Sequence, residues 1–496
     1  MPRRAAVVLA ALLTLLTACS STSSPDGGSD ERAAAEEAEE REQGEEGRGE
    51  EGRGGEEEAE EQQESTEERL EALREARAAG RFGRRLSVTT LAATSWAGER
   101  VLDPKKDDWE PAIAADPNSP FVYLITTRYG EAKPCPGNCP TPFIALAISA
   151  DNGQTWSAAE PLCPCKGSGQ FDPMIEVVPD TGDVYALWMN GFNVMFQKSL
   201  DRGKTWSAPV PTYGNVSWND KPVIAMSDDG TDVYVSWNGP TGGDPWVAQS
   251  HDAGDTWTQT KLVDSGRYFF AMDADVLPDG TVIFSESSFD YSGPAGSAVG
   301  AVQHHAFISR NGGNTWSNTV LGSVELGQPC ETEGCYDDFY AGHSTVTADT
   351  DGDLVFAFDG ATTSRGPQQI FVRTSTDEGA TWTPRASISD PGRMALGPAA
   401  EATGDGDVRL WFAERKPASR WNIWYRRSLD GGATWSAAVR ISDATSGAKY
   451  KNADGFLEFY GDYGEIGVMS NGKTIATWGE GFSWNGPGGT WFNIGT

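Results

Sequence analysis

Basic residues and long apolar runs are both scarce in this 496-residue chain. Lys and Arg number 39 against 72 Asp and Glu, so the formal net charge is −33. Phosphate backbones and anionic lipid headgroups repel such a protein, which excludes nucleic acid and an anionic membrane surface as partners. The only long apolar run, Ala5 to Leu16, is too short to span a bilayer.

That short run has the features of an export signal. Arg3 and Arg4 precede it, and it ends in Leu16-Thr17-Ala18-Cys19 followed by two serines. The ending resembles the lipobox of bacterial lipoproteins, in which the Cys becomes the lipidated first residue after cleavage. The resemblance implies a signal peptide over 1–18, lipidation of Cys19, and an extracytoplasmic protein held to the cell membrane by its lipid anchor alone. An ordinary signal peptide with a stray Cys is the alternative.

Residues 19–84 form an acidic, low-complexity stretch with almost no large apolar side chains. Such a segment cannot bury enough surface to offset its ordering entropy, so we expect a disordered or weakly helical spacer with no binding role. From residue 85 to 496 the composition is that of a β-rich globular domain, with many Gly, Trp and turn residues.

One eight-residue pattern, Ser-x-Asp-x-Gly-x-Thr-Trp, recurs six times between Ser149 and Trp435. The Asp position is occupied in turn by Asp151, Asp201, Asp252, Asn311, Asp377 and Asp430. A short side-chain acceptor and a Gly with positive φ are typical of a tight hairpin turn, and Thr and Trp then begin a strand. We interpret these residues as structural. The pattern is the Asp-box, and the chain resembles the sialidase-like Asp-box (BNR-repeat) β-propellers.

A second repeat lies between the Asp-boxes: an apolar strand, a short polar turn and another apolar strand. It occurs seven times, first after Glu110 and last after Asp462. Seven hairpins predict an all-β, seven-bladed propeller, and a six-bladed sialidase-type ring is the alternative. Because a ring must cover its edge strands, we expect the segment around Leu86 to Leu102 to supply the outer strand of the last blade.

Six cysteines remain after Cys19: Cys135, Cys139, Cys163, Cys165, Cys330 and Cys335. Outside the cytoplasm they favour three disulfides, although their spacing could also hold zinc. All six fall on loops of the face opposite the Asp-boxes, as do the longest insertions. That face is therefore the predicted functional one.

Polar residues at the ends of strands are expected to surround the channel mouth on this face. The candidate binding residues are Glu110, Arg128, Asp172, Asp220, Lys221, Asp273, His343, Arg365, Arg415 and Asp462. They could simply solvate the mouth, divide acid and base roles among carboxylates, or hold Ca²⁺ through oxygen ligands. We expect no other metal and no organic cofactor.

The resemblance implies a mechanism as well as a fold. Sialidases bind a sugar carboxylate with three arginines, and use a Tyr–Glu pair as nucleophile and an Asp as acid/base. Tyr463, Glu480 and Asp172 are the candidates here. The family's Phe-Arg-Ile-Pro motif is not visible, and blade 1 begins Trp109-Glu110-Pro111 instead. Three hypotheses therefore stay open: a monomeric exo-glycosidase of sialidase type, a non-catalytic propeller that binds a glycan or a protein, and a metal-dependent lyase or hydrolase built on the carboxylates.

Overall fold

The structure is a computed structural model that describes only part of the chain. The described residues are 71, 95–130, 140–163, 169–216, 218–239, 243–290, 292, 299–326, 342–416, 420–443, 448–449, 464–481 and 488–496. The chain divides into two units, 1–69 and 70–496. The first lies outside the described residues. Within the described part, no helix has the length and apolarity needed to cross a membrane.

Seven antiparallel sheets form a seven-bladed β-propeller. The first strand of the described part is Arg100–Val101 (β1). Blade 1 comprises Asp107–Ala115 (β2), Val122–Tyr129 (β3), Phe143–Ser149 (β4) and Glu160–Pro161 (β5). Blade 2 comprises Gln170–Val177 (β6), Val184–Asn190 (β7), Val194–Ser199 (β8) and Val210–Pro211 (β9). Blade 3 comprises Asp220–Met226 (β10), Val233–Asn238 (β11), Pro245–Ser250 (β12) and Thr258–Lys261 (β13).

The remaining blades repeat this order. Blade 4 comprises Tyr268–Val276 (β14), Val282–Asp290 (β15), Val299–Ser309 (β16) and Ser317–Val324 (β17). Blade 5 comprises Ser344–Ala348 (β18), Leu354–Ala361 (β19), Gln368–Ser375 (β20) and Ala386–Ser387 (β21). Blade 6 comprises Met394–Thr403 (β22), Asp407–Lys416 (β23), Arg420–Ser428 (β24) and Val439–Arg440 (β25), and Ala448–Lys449 (β26) also pairs with β24. Blade 7 contains Glu465–Val468 (β27), Thr474–Gly481 (β28) and Gly488–Gly495 (β29).

Strand β1 closes the ring by completing blade 7. Its residues Arg100 and Val101 pair with Phe492 and Trp491 of β29. Trp96 extends this pairing through a bridge to Gly495. The prediction of seven blades closed by an N-terminal strand is confirmed, and the six-bladed alternative is wrong.

The repeated pattern forms the same turn wherever it occurs, as blade 3 illustrates. One carboxylate oxygen of Asp252 accepts hydrogen bonds from the Ser250 hydroxyl (2.6 Å) and the Thr256 amide (2.8 Å), and the other accepts from the Thr256 hydroxyl (2.6 Å). Gly254 has a φ of 83°, and a Cβ there would lie 2.2 Å from the Phe196 ring of blade 2. Glycine is therefore required both for the turn and for the packing of neighbouring blades.

The core lies between the blades. Its largest buried side chains include Trp188, Trp237, Trp411, Trp421 and Trp478, which pack on the flat faces of the sheets. Cys163 is also buried there. The other five cysteines of the predicted framework (Cys135, Cys139, Cys165, Cys330, Cys335) lie outside the described residues, as does Cys19. The disulfides remain a prediction.

Candidate functional site

The first strands of all seven blades surround a central cavity of about 440 Å³. In every blade these strands start on the face opposite the Asp-box turns, because the Asp-boxes join third to fourth strands. The cavity reaches from residues near the strand starts, such as Lys221 and His343, to residues near the strand ends, such as Asp228 and Asp349. Its mouth on the loop face is the candidate site.

A β-bulge shapes this mouth in four of the blades. In each bulge the residue before proline has a left-handed backbone conformation. In blades 1, 2, 3 and 6 the pairing of the first two strands shifts at Glu110-Pro111, Asp172-Pro173, Lys221-Pro222 and Gly397-Pro398. The residues before proline have φ values of 54°, 46°, 52° and 63°. Only Gly adopts this conformation without strain, so blades 1 to 3 hold three charged residues in an unfavourable backbone state. Strain of this kind is concentrated at functional sites.

These three charged residues connect neighbouring blades. Glu110 Oε2 accepts hydrogen bonds from the Thr127 hydroxyl (2.6 Å) and from the Asp172 amide (3.0 Å). Lys221 Nζ lies 3.4 Å from Asp172 Oδ1. Asp172 is 4% exposed, whereas Glu110 and Lys221 are half-buried. Two carboxylates and one lysine therefore form an arc at the mouth, one residue on each of blades 1, 2 and 3.

Five carboxylates line the channel below this arc: Glu176, Asp273, Asp275, Glu401 and Glu465. Each is half-buried in the channel wall. Burial raises the pKa of Asp273 to about 6 and that of Asp275 to about 7. Burial, and then repulsion from neighbouring carboxylates, raises the pKa of Glu176 and Glu401 well above its ordinary value. The channel wall is therefore rich in carboxyl groups that hold their protons more tightly than exposed ones do.

Some of these carboxylates also link one blade to the next. Asp273 Oδ2 accepts hydrogen bonds from the Thr345 hydroxyl (2.5 Å) and the Val346 amide (3.1 Å) of blade 5. Asp275 Oδ2 accepts from the Ala348 amide (2.7 Å). Glu465 of blade 7 accepts from the Ile113 amide of blade 1 (2.6 Å). These carboxylates have a structural role whatever else they do.

His343 lies at the cavity mouth on blade 5 and is 8% exposed. Its Nδ1 is 3.3 Å from Asp359 Oδ2, and the Asp359 carboxylate also accepts the amides of Gly342 and Gly397, each at 2.9 Å. The two preceding histidines, His304 and His305, are buried inside blade 4 away from the cavity lining, and burial lowers the pKa of each to about 4.

The structure brings some of the candidate residues together. Asp172, Lys221, Asp273 and His343 line the cavity, and Glu110 lies beside Asp172. Asp220 is buried next to the bulge and does not belong to the lining. Asp462 and Tyr463 lie outside the described residues.

The other candidates lie elsewhere. Arg128 is buried in an ion pair with Asp108, with Nε 2.7 Å from Oδ1. Arg365 is exposed, and the side chain of Arg415 lies outside the described part. Glu480 is packed between blades 6 and 7, where its Oε2 accepts the Trp478 indole N–H at 3.3 Å. Burial raises the pKa of Glu480 to about 7. No arginine lines the cavity among the described residues.

Three channel residues, Glu176, Asp275 and Glu401, were missed from the sequence. Each lies several residues into a first strand, which the sequence pattern predicts to be apolar. The signal was present as Asp273-Ala274-Asp275, because alternate strand residues share a face and two acids at that spacing in an apolar strand are unusual. Within the described residues, no group of three or more His, Cys, Asp or Glu side chains is arranged to hold a metal ion.

Comparison with known proteins supports the fold. No protein-family model matches the sequence, and neither does any curated protein. A PL25 polysaccharide lyase, an ulvan lyase, superimposes with a TM-score of 0.50 at 12% identity, covering 80% of this chain and 95% of the lyase. A protein of unknown function from Dyadobacter fermentans gives a TM-score of 0.48 at 15% identity, covering 82% and 99% of the two chains. A Hadza microbial sialidase gives 0.42 at 16% identity, covering 72% and 74%. At such identities the likeness concerns the fold alone.

Proposed function

We propose that this protein is a carbohydrate-active propeller that binds a glycan at the cavity mouth and hydrolyses a glycosidic bond there. The observation that carries the proposal is the strained arc of Glu110, Asp172 and Lys221. Three neighbouring blades hold charged residues in a backbone conformation that only glycine adopts without strain. Two of them, Asp172 and Lys221, line the cavity of about 440 Å³, and Glu110 accepts the Asp172 amide. That volume lies within the range of small-ligand pockets, about 300–1,000 Å³.

In this proposal Glu110 and Asp172 supply the pair of carboxyl groups that glycoside hydrolysis requires. One carboxylic acid donates a proton to the leaving oxygen as the glycosidic bond breaks, and the other group accepts a proton from the water that is consumed. Lys221, 3.4 Å from Asp172, orients that carboxylate. This pair replaces the Tyr463–Glu480 pair of the sialidase hypothesis, since Glu480 is packed against Trp478 and does not line the cavity.

A panel of fluorogenic aryl glycosides incubated with the full chain tests the proposal. We expect turnover of at least one glycoside, reduced roughly 100-fold or more by Asp172→Asn. Asp255→Asn is the matched control, because Asp255 is an exposed carboxylate on the opposite, Asp-box face. Equal activity of the two variants would place the chemistry elsewhere.

A non-catalytic glycan-binding propeller is the second candidate. This candidate is favoured because Glu110 Oε2 already accepts hydrogen bonds from the Thr127 hydroxyl and the Asp172 amide. A glycan array probed with the same protein separates the two functions. Saturable glycan binding without turnover of any glycoside would establish the second candidate, and failure of both assays would overturn both.

We also propose that the mature protein is anchored outside the cytoplasm through lipidated Cys19. The supporting observation is the Leu16-Thr17-Ala18-Cys19 sequence after an apolar run. Metabolic labelling with a fatty-acid analogue in a bacterial host tests it. Labelling that persists in Cys19→Ser would contradict the proposal.

A further inference from the structure

Trp218 is the one tryptophan of the described part that does not pack into or against a hydrophobic core. The others contribute to the clusters between neighbouring blades, including the half-buried tryptophans of the Asp-boxes. Trp188 and Trp237, near the ends of second strands, are 0% exposed and cannot contact a ligand. Trp218 is half-buried, so part of it is accessible from solvent. Packing of the core therefore does not explain its position.

The backbone of Trp218 is strained. Its φ is 64°, in the left-handed region that bulky side chains rarely enter. Among the described residues it is the only aromatic one with a positive φ. Glycine or asparagine would adopt this conformation more easily, so the chain places a tryptophan here at a cost in stability. Strain of this kind is concentrated at functional sites.

Hydrogen bonds to blade 2 hold the backbone around Trp218. The Trp218 amide donates to Asn193 Oδ1 at 3.4 Å. The Asn219 amide donates to the Phe192 carbonyl at 2.7 Å, and Asn219 Oδ1 accepts the Val194 amide at 3.3 Å. The segment before blade 3 is thereby fixed to the turn between β7 and β8, so Trp218 is presented by a rigid support.

The Trp218 ring stacks on the Phe192 ring. Their centroids are 5.5 Å apart and their planes differ by 18°, which is a favourable arrangement for two aromatic rings. Phe192 in turn packs against the hydrophobic core of blade 2. The two rings therefore form an aromatic platform, Phe192 and Trp218, whose orientation is set by the core beneath it.

This aromatic platform lies on the loop face, beside the cavity mouth. Trp218 belongs to the connection from β9 to β10, and such connections run on the face opposite the Asp-box turns. Lys221, three residues later, lines the cavity, although Trp218 itself does not. Three residues of extended chain span about 11 Å at most, so the Cα atoms of the two residues are no further apart than that. A ligand that fills the mouth and extends over the junction of blades 2 and 3 therefore reaches the platform.

The segments that form the platform are uncharged. Residues 190–194 and 212–219 contain four asparagines and no Asp, Glu, Lys or Arg. One of these asparagines, Asn215, is exposed. An ion would meet no opposite charge in these two segments. A neutral sugar, in contrast, has a C–H face that stacks on an aromatic ring and hydroxyl groups that pair with amide side chains.

We propose that Trp218 forms an outer subsite, where a neutral pyranose ring of an oligosaccharide stacks while the end of the same oligosaccharide occupies the cavity mouth. This inference rests on the glycan function proposed above and specifies its ligand as an oligosaccharide instead of a single sugar. The indole covers the C–H face of the outer sugar unit, and exposed amide groups of the same segment, such as Asn215, meet its hydroxyls.

Calorimetry with the full chain tests the dependence on ligand length. The probes are cello-oligosaccharides and N-acetylglucosamine oligosaccharides, each from the monosaccharide to the hexasaccharide. We expect affinity to rise by about tenfold or more at the length that reaches from the mouth to Trp218, because a further ring then becomes stacked. Affinity that does not change with length would overturn the outer subsite.

Variants separate a ligand-binding role of Trp218 from a structural one. Trp218→Gly removes both the ring and the backbone strain, so it should change the unfolding midpoint little and reduce affinity for the hexasaccharide by about tenfold. Trp218→Phe should restore most of that affinity. Val320→Ala is the control, because it removes an exposed apolar side chain from the outer strand of blade 4 and should change neither property. A lower unfolding midpoint with unchanged affinity in Trp218→Gly would make Trp218 a structural residue.

Hydroxyl-radical footprinting locates the ligand without requiring turnover. The hexasaccharide should protect Trp218 from oxidation and leave Trp206 unchanged, because Trp206 is also half-buried but lies in an Asp-box on the opposite face. Equal protection of the two tryptophans, or none at Trp218, would overturn the proposal. Choline tests whether the indole binds a cation instead. Protection of Trp218 by choline and by no oligosaccharide would also overturn the sugar subsite.

The outcomes distinguish this inference from the function on which it rests. A glycan that binds the wild-type protein and Trp218→Gly equally tightly would overturn the outer subsite and leave the proposed function intact. Absence of binding by both oligosaccharide series, together with a silent glycan array and no glycoside turnover, would overturn both.

Discussion

Arg128 and Asp108 face each other across the first two strands of blade 1 and form a bidentate ion pair. Nε lies 2.7 Å from Oδ1 and Nη2 lies 2.8 Å from Oδ2. Arg128 is 4% exposed and Asp108 is 0% exposed. The geometry makes Arg128 a structural residue of the blade.

Asp108→Ala should destabilise the protein by about 3–5 kcal/mol, because it leaves the Arg128 guanidinium buried without its partner. Asp255→Ala is the control, because the Asp255 side chain, which pairs with Lys198, is 66% exposed. It should cost about 1 kcal/mol or less. Chemical denaturation of both variants measures the difference. Similar midpoints for the two variants would contradict a structural role for the buried pair.

Lys221 offers a test of backbone strain at the mouth. Its φ is 52°, so Lys221→Gly relieves strain that Lys221→Ala retains. The Gly variant should be more stable than the Ala variant by about 1 kcal/mol, while both lose the ion pair with Asp172. Thermal unfolding measures the order of the two.

Lys204 provides the comparison, because it is exposed in an Asp-box turn and is not among the residues with positive φ. There the Ala variant should match or exceed the Gly variant. If Lys221→Gly leaves glycan binding unchanged, the backbone strain at this position has no functional role.

Glu286 should make the protein less stable as the pH rises. It is 0% exposed between blades 3 and 4, where it accepts the Ser236 hydroxyl at 2.7 Å. Burial raises its pKa from 4.5 to about 8, so between those values the folded protein keeps a proton that the unfolded chain has lost. Stability from this group is complete below pH 4.5 and is lost as the pH rises through 8. Glu286→Gln should flatten this decline in the unfolding midpoint.

The buried histidines of blade 4 should act in the opposite direction. Burial lowers the pKa of His304 and His305 from 6.5 to about 4, so in that interval the unfolded chain binds protons that the folded protein does not. Stability therefore falls as the pH drops from 6.5 towards 4. His305→Asn should reduce this acid loss in urea unfolding. A profile unchanged in that variant would assign the acid loss to other groups.

Gly495 is required for ring closure. A Cβ at this position would lie 2.3 Å from the Trp96 ring, which packs edge-on against Tyr425 at 4.8 Å. Gly495→Ala should cost about 1–3 kcal/mol by displacing the indole. The double variant with Trp96→Ala removes the clash, so its loss should be smaller than the sum of the two single losses. Additive losses would show that the two residues do not compete for space.

The blade count was predictable because it rests on local chemistry. Each Asp-box encodes its own turn through hydrogen bonds within five residues, as between Asp252 and Thr256. The closing strand followed from the same count, since a seventh hairpin without an Asp-box needed a partner.

The site was less predictable because it depends on register. A bulge at each X-Pro step resets the alternation of side chains, so which acids face the channel does not follow from period two alone. Arg128 was assigned to the mouth because it ends a strand, but the pairing register places Asp108 directly opposite it. Glu480 likewise ends a strand and turns back onto Trp478.

Closure by β1 has a consequence for biosynthesis. The residues that pair with the first strand, Trp491 and Phe492, come almost four hundred positions later in the chain. A chain still emerging from the ribosome can form its early blades through local hairpins, but it cannot seal the ring until these residues have been added. Any chain interrupted before Trp491 therefore leaves β1 without its partner strand, and it would be exposed to aggregation or proteolysis for that reason.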